Sequence, residues 1–286
     1  MKPFEYISCT TLAEACAAIE SSGEGGRVLA GGTDLLVELR GAGNRSPDAI
    51  VDISRIATLK GITKSGASIL VGPLTTHTEL TNSSLIRQSA GLLGVAAATI
   101  GSQQIRNRGT VGGNIMNAAT CADTVPPLLA LGARLTLVSN TGTREVDIAD
   151  FFVEPYKTHA RYDEVLSSIS FAPLTERSTG AFLKLGRRNA VAISRLSVAA
   201  ILTLDREGII ADARIVAGAA MPVWERISLA EQLLLGQKPS TPLFDMAGRK
   251  ASEAMIRKTG RRWSTEYKEP VLAVMVRRAL ETCSGA

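Results

Sequence analysis

Arg106-Asn107-Arg108-Gly109-Thr110-Val111-Gly112-Gly113-Asn114 carries three glycines within five positions, and the rest of the chain is read outward from it. Glycine has no Cβ, so the backbone here can approach a bulky neighbour closely. Successive N–H groups in such a turn form a nest with partial positive charge that suits a phosphate oxygen. Thr110 adds a hydroxyl, and Asn114 adds both a donor and an acceptor. Arg106 and Arg108 make the surroundings cationic. A glycine cluster is equally a plain turn when it stands alone.

A second stretch changes the reading. Arg27-Val28-Leu29-Ala30 reads as a strand that runs into Gly31-Gly32-Thr33-Asp34 and then into the helical Leu35-Leu36-Val37-Glu38-Leu39-Arg40. Strand, glycine turn and helix together can offer backbone N–H groups to an anion. The competing reading is a tight turn with Thr33 or Asp34 as the helix N-cap. Ahead of it, residues 3–8 predict a short strand, and Thr11-Leu12-Ala13-Glu14 predicts a capping box. Leu12, Ala15, Cys16 and Ile19 share one face of the helix that follows, which stops at Ser22-Gly23. Residues 49–53 add a third strand and complete a β-α-β-α-β unit. The two glycine turns lie about eighty residues apart and read as a two-loop site for the diphosphate of one extended ligand. No G-x-G-x-x-G occurs, so the usual nicotinamide fingerprint is missing.

From Leu59 the pattern changes to short strands and turns: a strand over 68–73, a helix opening at 75–78, and a helix over 86–98. The glycine-rich stretch 99–114 follows, then a helix through 127–130. Residues 133–138 and 143–147 predict a hairpin about Asn140-Thr141-Gly142, and 163–171 predicts a strand closed by Pro173. The polar segment 173–179 reads as a linker. Strands at 181–185, 197–205 and 209–217 follow, then helices over 228–235, 242–258 and 268–282.

A chain of 286 residues exceeds one average domain, so two are expected. Aromatics make up only 4%, which leaves the cores to Leu, Val, Ile and Ala. The 32 basic and 27 acidic residues give a charge of +5, spread out except at Arg187-Arg188 and Arg261-Arg262. No basic stripe with interleaved aromatics suggests a nucleic-acid groove. Cys9, Cys16, Cys121 and Cys283 stand singly, which argues against a metal or iron–sulfur site on this chain and fits a reducing compartment. The N-terminus has no apolar signal core and no run approaches a membrane span, so a cytoplasmic protein is expected.

Leu29-Ala30-Gly31-Gly32-Thr33-Asp34-Leu35, Thr110-Val111-Gly112-Gly113-Asn114 and Asp123 resemble the signatures of one flavoprotein family. It comprises the FAD-binding medium subunits of molybdenum hydroxylases, such as xanthine dehydrogenase, aldehyde oxidase and carbon monoxide dehydrogenase. The resemblance covers essentially the whole chain. It implies an α+β protein with an FAD-binding fold of the vanillyl-alcohol-oxidase (PCMH) type over residues 1–175, in subdomains of about 1–56 and 57–175. A C-terminal α+β domain over 176–286 would hold a three-stranded antiparallel sheet and a helical bundle. By position, Val28 to Leu35 and Thr110 to Asn114 would hold the FAD pyrophosphate and ribityl chain. Ile100 would lie against the isoalloxazine, Asp123 would accept from cofactor hydroxyls, and Leu166 and Lys184 would touch the cofactor.

Each assignment has a competitor. Ile100 and Leu166 suit a core equally well. Asp123 suits the cap of the helix after it, and Lys184 an outward, solvated position. A carboxylate beside a pyrophosphate is repelled, so Asp34 is expected to turn its side chain away and cap its helix while its N–H binds. Arg106 and Arg108 also suit a partner surface. His77 and His159 read as structural or solvated residues, and FAD is expected to be held non-covalently. Two departures stand out. The chain lacks the cysteine cluster of the benzoyl-CoA reductase branch, and Asn189-Ala190-Val191-Ala192 stands where some relatives carry an acidic residue.

The function implied is electron transfer. A heterocycle, purine or aldehyde would be hydroxylated at a molybdenum cofactor on a large subunit. Electrons would pass through a small iron–sulfur subunit to FAD on this chain, then to NAD, oxygen, a quinone or a carrier protein. The assembly implied is a dimer of heterotrimers. Two alternatives stand beside it: a self-sufficient flavin oxidoreductase of the same fold, and a structural subunit without flavin. No acid–base dyad marks a substrate pocket of the chain's own.

Overall fold

The computed structural model describes residues 3–41, 46–188 and 191–285. The chain begins with β1 (Glu5–Ser8), α1 (Leu12–Ser22), β2 (Gly26–Leu29), α2 (Leu35–Arg40) and β3 (Ala49–Asp52). Thr11 closes the predicted capping box with Glu14, and Gly23 ends α1 at a φ of 57°. The strands form a parallel sheet in the order β1-β3-β2, with α1 packed over it through Ala15, Cys16 and Ile19.

Next come β4 (Ile62–Ser65), β5 (Ser68–Val71), α3 (His77–Asn82), α4 (Ser84–Ser89), α5 (Gly91–Ala98), α6 (Gln103–Arg106), α7 (Val111–Asn117) and α8 (Val125–Ala130). The predicted single helix over 86–98 is broken at Ala90 (φ −157°, ψ 50°), because the Ser89 carbonyl accepts from the Leu174 N–H at 2.7 Å and leaves the helical ladder. The glycine-rich stretch is also more regular than its composition suggests, since Ser102 caps α6 and Thr110 caps α7 through their hydroxyls. The chain continues through β6 (Arg134–Ser139), β7 (Gly142–Asp147), β8 (Phe152–Glu154), β9 (Lys157–Thr158) and β10 (Val165–Phe171). An antiparallel sheet in the order β4-β5-β10-β6-β7 results, with the predicted β6–β7 hairpin in place.

Last come β11 (Ser178–Leu185), β12 (Leu196–Leu204), β13 (Ile210–Gly218), α9 (Ser228–Leu234), α10 (Thr241–Thr259) and α11 (Thr265–Ser284). The antiparallel sheet β11-β12-β13 is covered on both faces. Alternate residues of a strand face opposite ways: Val198, Ala200 and Leu202 join a core with Phe244, Leu272 and Val276 of α10 and α11. Ala199 and Ile201 join the large core built on α5 and α8. This double burial explains why β12 reads as a nearly unbroken apolar run. Residues 173–179 are pinned rather than free: Leu174 bonds to Ser89, and pairing in β11 begins at Ser178. Among the described residues, no helix is long and apolar enough to cross a membrane.

Candidate functional site

One cavity of about 730 Å³ opens where the parallel sheet, the α3–α8 segment and β10–β11 converge. The two glycine stretches meet at its wall. A Cβ on Gly31 would stand 2.0 Å from the Arg108 carbonyl oxygen and 3.0 Å from Gly109 Cα, so this contact exists only because Gly31 lacks a side chain. Gly32 takes a φ of 76°, which turns the chain from β2 into α2 at little cost. The N–H groups of Gly31, Gly32, Thr33 and Asp34 donate to no backbone carbonyl among the described residues. They are a set of donors at the cavity edge, as a diphosphate requires.

The second stretch differs from the nest expected of it. Val111 N–H donates to the Thr75 carbonyl at 3.0 Å, Gly112 to the Pro73 carbonyl at 2.8 Å and Asn114 to the Thr110 carbonyl at 3.0 Å. Gly113 N–H donates to Thr110 Oγ1 at 3.1 Å. These donors start α7, and the glycines serve close packing: a Cβ on Gly112 would sit 2.5 Å from Pro73 Cβ. A bulky residue at Gly112 would therefore disturb the fold itself, and not only a ligand. What this stretch offers the cavity is side chain. Asn114 Oδ1 accepts from Thr124 Oγ1 at 2.7 Å, which leaves its Nδ2 hydrogens for other acceptors.

Of the residues singled out from the sequence, Val28, Ala30, Gly31, Gly32, Thr33, Asp34 and Leu35 line the cavity. Ile100, Thr110, Gly112, Gly113, Asn114, Asp123, Leu166 and Lys184 line it too. Leu29 and Val111 do not; Val111 is buried in the large core. Asp34 occupies the N-cap position of α2 but makes no side-chain cap bond, against the expectation that it caps. Burial instead pushes its carboxyl above the usual range, with the Thr33 hydroxyl pulling the other way. Arg106 Nη1 donates to the Ile100 and Gly101 carbonyls at 2.9 and 3.2 Å and fixes that turn.

Asp123 and Lys184 are neither a helix cap nor a solvated lysine. Lys184 Nζ lies 2.6 Å from Asp123 Oδ2, with side chains 11% and 4% exposed, and donates to the Thr99 carbonyl at 3.0 Å. Ser194 Oγ donates to Asp123 Oδ1. Burial pushes the Asp123 carboxyl upward, and Lys184 and Ser194 hold it back. β11 thus carries a cation across to the loop before α8, a pairing of residues 61 apart in sequence.

Sequence reasoning missed Cys121, Tyr156, Arg161 and His77 in the lining. Tyr156 is presented by a turn with φ of 63°, which Pro155 before it signals weakly. Nothing in the sequence separates Cys121 from the other lone thiols. Asn189 and Ala190 lie outside the described residues; Val191 and Ala192 line the cavity. The site fits FAD by its own features: free backbone donors on a glycine turn, a roomy cleft, and an acidic side chain, Asp123, partnered by the buried Lys184.

Comparisons with known proteins agree. The FAD binding domain in molybdopterin dehydrogenase matches residues 2–173, and the CO dehydrogenase flavoprotein C-terminal domain matches residues 181–283. The xanthine dehydrogenase FAD-binding subunit of Escherichia coli O157:H7 is 32% identical over 98% of this chain and 96% of its own length. The carbon monoxide dehydrogenase medium chain of Hydrogenophaga pseudoflava is 28% identical over 97% of this chain and 96% of its own. The structure of carbon monoxide dehydrogenase from that organism, lacking the Mo-pyranopterin moiety of its cofactor, matches with a TM-score of 0.91 at 28% identity, covering 100% of this chain and 99% of that one. With the glycine turn, the cleft and the whole-length likeness together, the chain belongs to the molybdopterin dehydrogenase FAD-binding family, the FAD-binding medium subunits of molybdenum hydroxylases.

Proposed function

We propose that FAD occupies the cavity and that the chain is the electron-transfer subunit of a three-component hydroxylase. The observation that carries this reading is the meeting of the two glycine stretches at one wall, beside N–H groups that no backbone carbonyl takes up. The N–H groups of Gly31 to Asp34 hold the pyrophosphate, and Asn114 Nδ2 adds a side-chain donor. Ile100 and Leu166 give the ring system apolar walls. Asp123, held in place by Lys184 and Ser194, accepts from cofactor hydroxyls with its remaining lone pairs. When bound, FAD supplies the redox chemistry, taking electrons from an iron–sulfur partner and releasing them to an external acceptor, while the protein supplies position and electrostatics.

Residues 1–175 act as the FAD-binding domain, and 176–286 form the C-terminal domain that closes the cleft through Lys184. The partners are a large molybdenum-cofactor subunit and a small iron–sulfur subunit, assembled as a dimer of heterotrimers in the cytoplasm. FAD is retained without a covalent bond. The test is to purify the chain with its genomic neighbours and add substrates of the large subunit. Visible flavin absorbance that bleaches on substrate addition is the expected result; a flavin that stays oxidised while substrate is consumed overturns the relay.

A further inference from the structure

His77, the first residue of α3, is 3% exposed and lines the same cavity. Its surroundings fix the ring. The His77 N–H donates to the Gly109 carbonyl at 3.1 Å, and the Thr76–Glu79 capping box holds the start of the helix. A Cβ on Gly109 would lie 3.1 Å from His77 Cδ2 and 3.4 Å from Nε2, so the imidazole edge rests on the bare backbone of the second glycine stretch. Gly31 meets the same stretch at Arg108 and Gly109. Imidazole and donor turn therefore share one length of wall.

The two ring nitrogens differ. Nδ1 is sealed from solvent and has no hydrogen-bond partner, which leaves Nε2 as the nitrogen on the cavity side. A neutral imidazole carries one donor and one acceptor. Buried donors without partners are rarer than buried acceptors without them, so the sealed Nδ1 is the lone-pair nitrogen and the proton sits on Nε2. Burial, followed by the nearby Arg106 cation, holds the ring's pKa down to about 4, so it is neutral at pH 7.

We propose that His77 is a cofactor-positioning residue whose Nε2–H donates to a diphosphate oxygen of FAD, beside the N–H groups of Gly31 to Asp34. This rests on the placement of FAD in the cavity argued above. A donor without charge suits a place already near the Arg106 cation, because it orients the diphosphate without requiring a further buried cation.

The experiment titrates FAD into the flavin-stripped full-length chain, purified with its partner subunits, and follows quenching of FAD fluorescence. His77→Phe keeps the ring shape and removes both nitrogens; His77→Gln restores a donor near the Nε2 position. Loss of one hydrogen bond to a charged acceptor weakens FAD roughly 10- to 100-fold in His77→Phe. His77→Gln is expected to recover most of that loss. ADP, which carries the diphosphate, should show the same loss as a competitor.

Cys121 reports the placement independently, because it lines the cavity and is half-buried, whereas the other three cysteines are buried. Bound FAD should slow its alkylation by N-ethylmaleimide, read by mass spectrometry. Wild-type affinity in His77→Phe with Cys121 still protected overturns the role of His77 alone. A His77→Gln protein as weak as His77→Phe also overturns it, and marks the ring as packing. FAD that binds without protecting Cys121 overturns the placement itself.

Discussion

Replacing Lys184 by Met removes the cation bonded to the buried Asp123 carboxylate. Lys184 Nζ sits 2.6 Å from Asp123 Oδ2, with both side chains nearly enclosed. Removing one partner of a buried pair costs about 3–5 kcal/mol, because the other charge is left uncompensated. Unfolding entropy of roughly 2.1 cal/mol/K per residue over this chain amounts to about 0.6 kcal/mol/K. The melting temperature should then fall by about 5–8 °C.

The loss should also depend on pH. Burial already raises the Asp123 carboxyl, and Lys184 is the largest influence holding it back, so Lys184→Met raises it further. A carboxyl whose folded pKa exceeds its unfolded value contributes stability that is complete below the unfolded value and is lost as pH rises through the folded one. The variant should therefore lose more at pH 8 than at pH 5. Adding Asp123→Asn should recover most of the deficit at pH 8 by removing the orphaned charge. The measurement is thermal unfolding of flavin-free protein by circular dichroism at both pH values. A variant that melts within about 1 °C of wild type at pH 8, or loses the same amount at both pH values, refutes the reasoning.

Gly112→Ala should lower stability by about 2 kcal/mol or more even without FAD, because the new methyl meets Pro73 backbone; an unchanged denaturant midpoint would contradict the packing role. Thr110→Ala removes the hydroxyl that accepts from Gly113 N–H and should cost about 1 kcal/mol, read from urea unfolding, with Thr110→Ser retaining most of it. Glu164 is buried, receives Arg144 at 2.6 and 2.8 Å and the Arg161 N–H at 2.7 Å, and lies below its ordinary pKa despite burial. Its contribution is present above the unfolded value and is lost as pH falls through the lowered one, so Glu164→Gln should cost about 2 kcal/mol at pH 7. The difference from wild type should shrink below pH 4, and a constant difference from pH 7 to pH 3 would argue against the ion pair.

Much of the first sheet was legible because its signals are local. A capping box at Thr11, glycines after α1 and β2, and apolar runs of strand length each act within a few residues. The hairpin about Asn140-Thr141-Gly142 was legible for the same reason. The stretch 99–117 was not: its helices are short, rich in glycine and held by Ser102 and Thr110 hydroxyls rather than by an apolar stripe. The break at Ala90 depends on Leu174, and the partner of Asp123 comes from β11, both distant in sequence. The first glycine turn could be assigned donors from its residues alone, whereas the second has its N–H groups engaged by Pro73 and Thr75, which nothing near it announces. His77 lay among the residues read as merely structural because its environment exists only after Gly109 is folded against it.

The strand β12 sends odd-numbered side chains into one core and even-numbered ones into the other. A single inserted residue in it would exchange the two sets and spoil both interiors at once. Heat should accordingly melt the chain in one step, since neither half retains a finished interior after the other has gone.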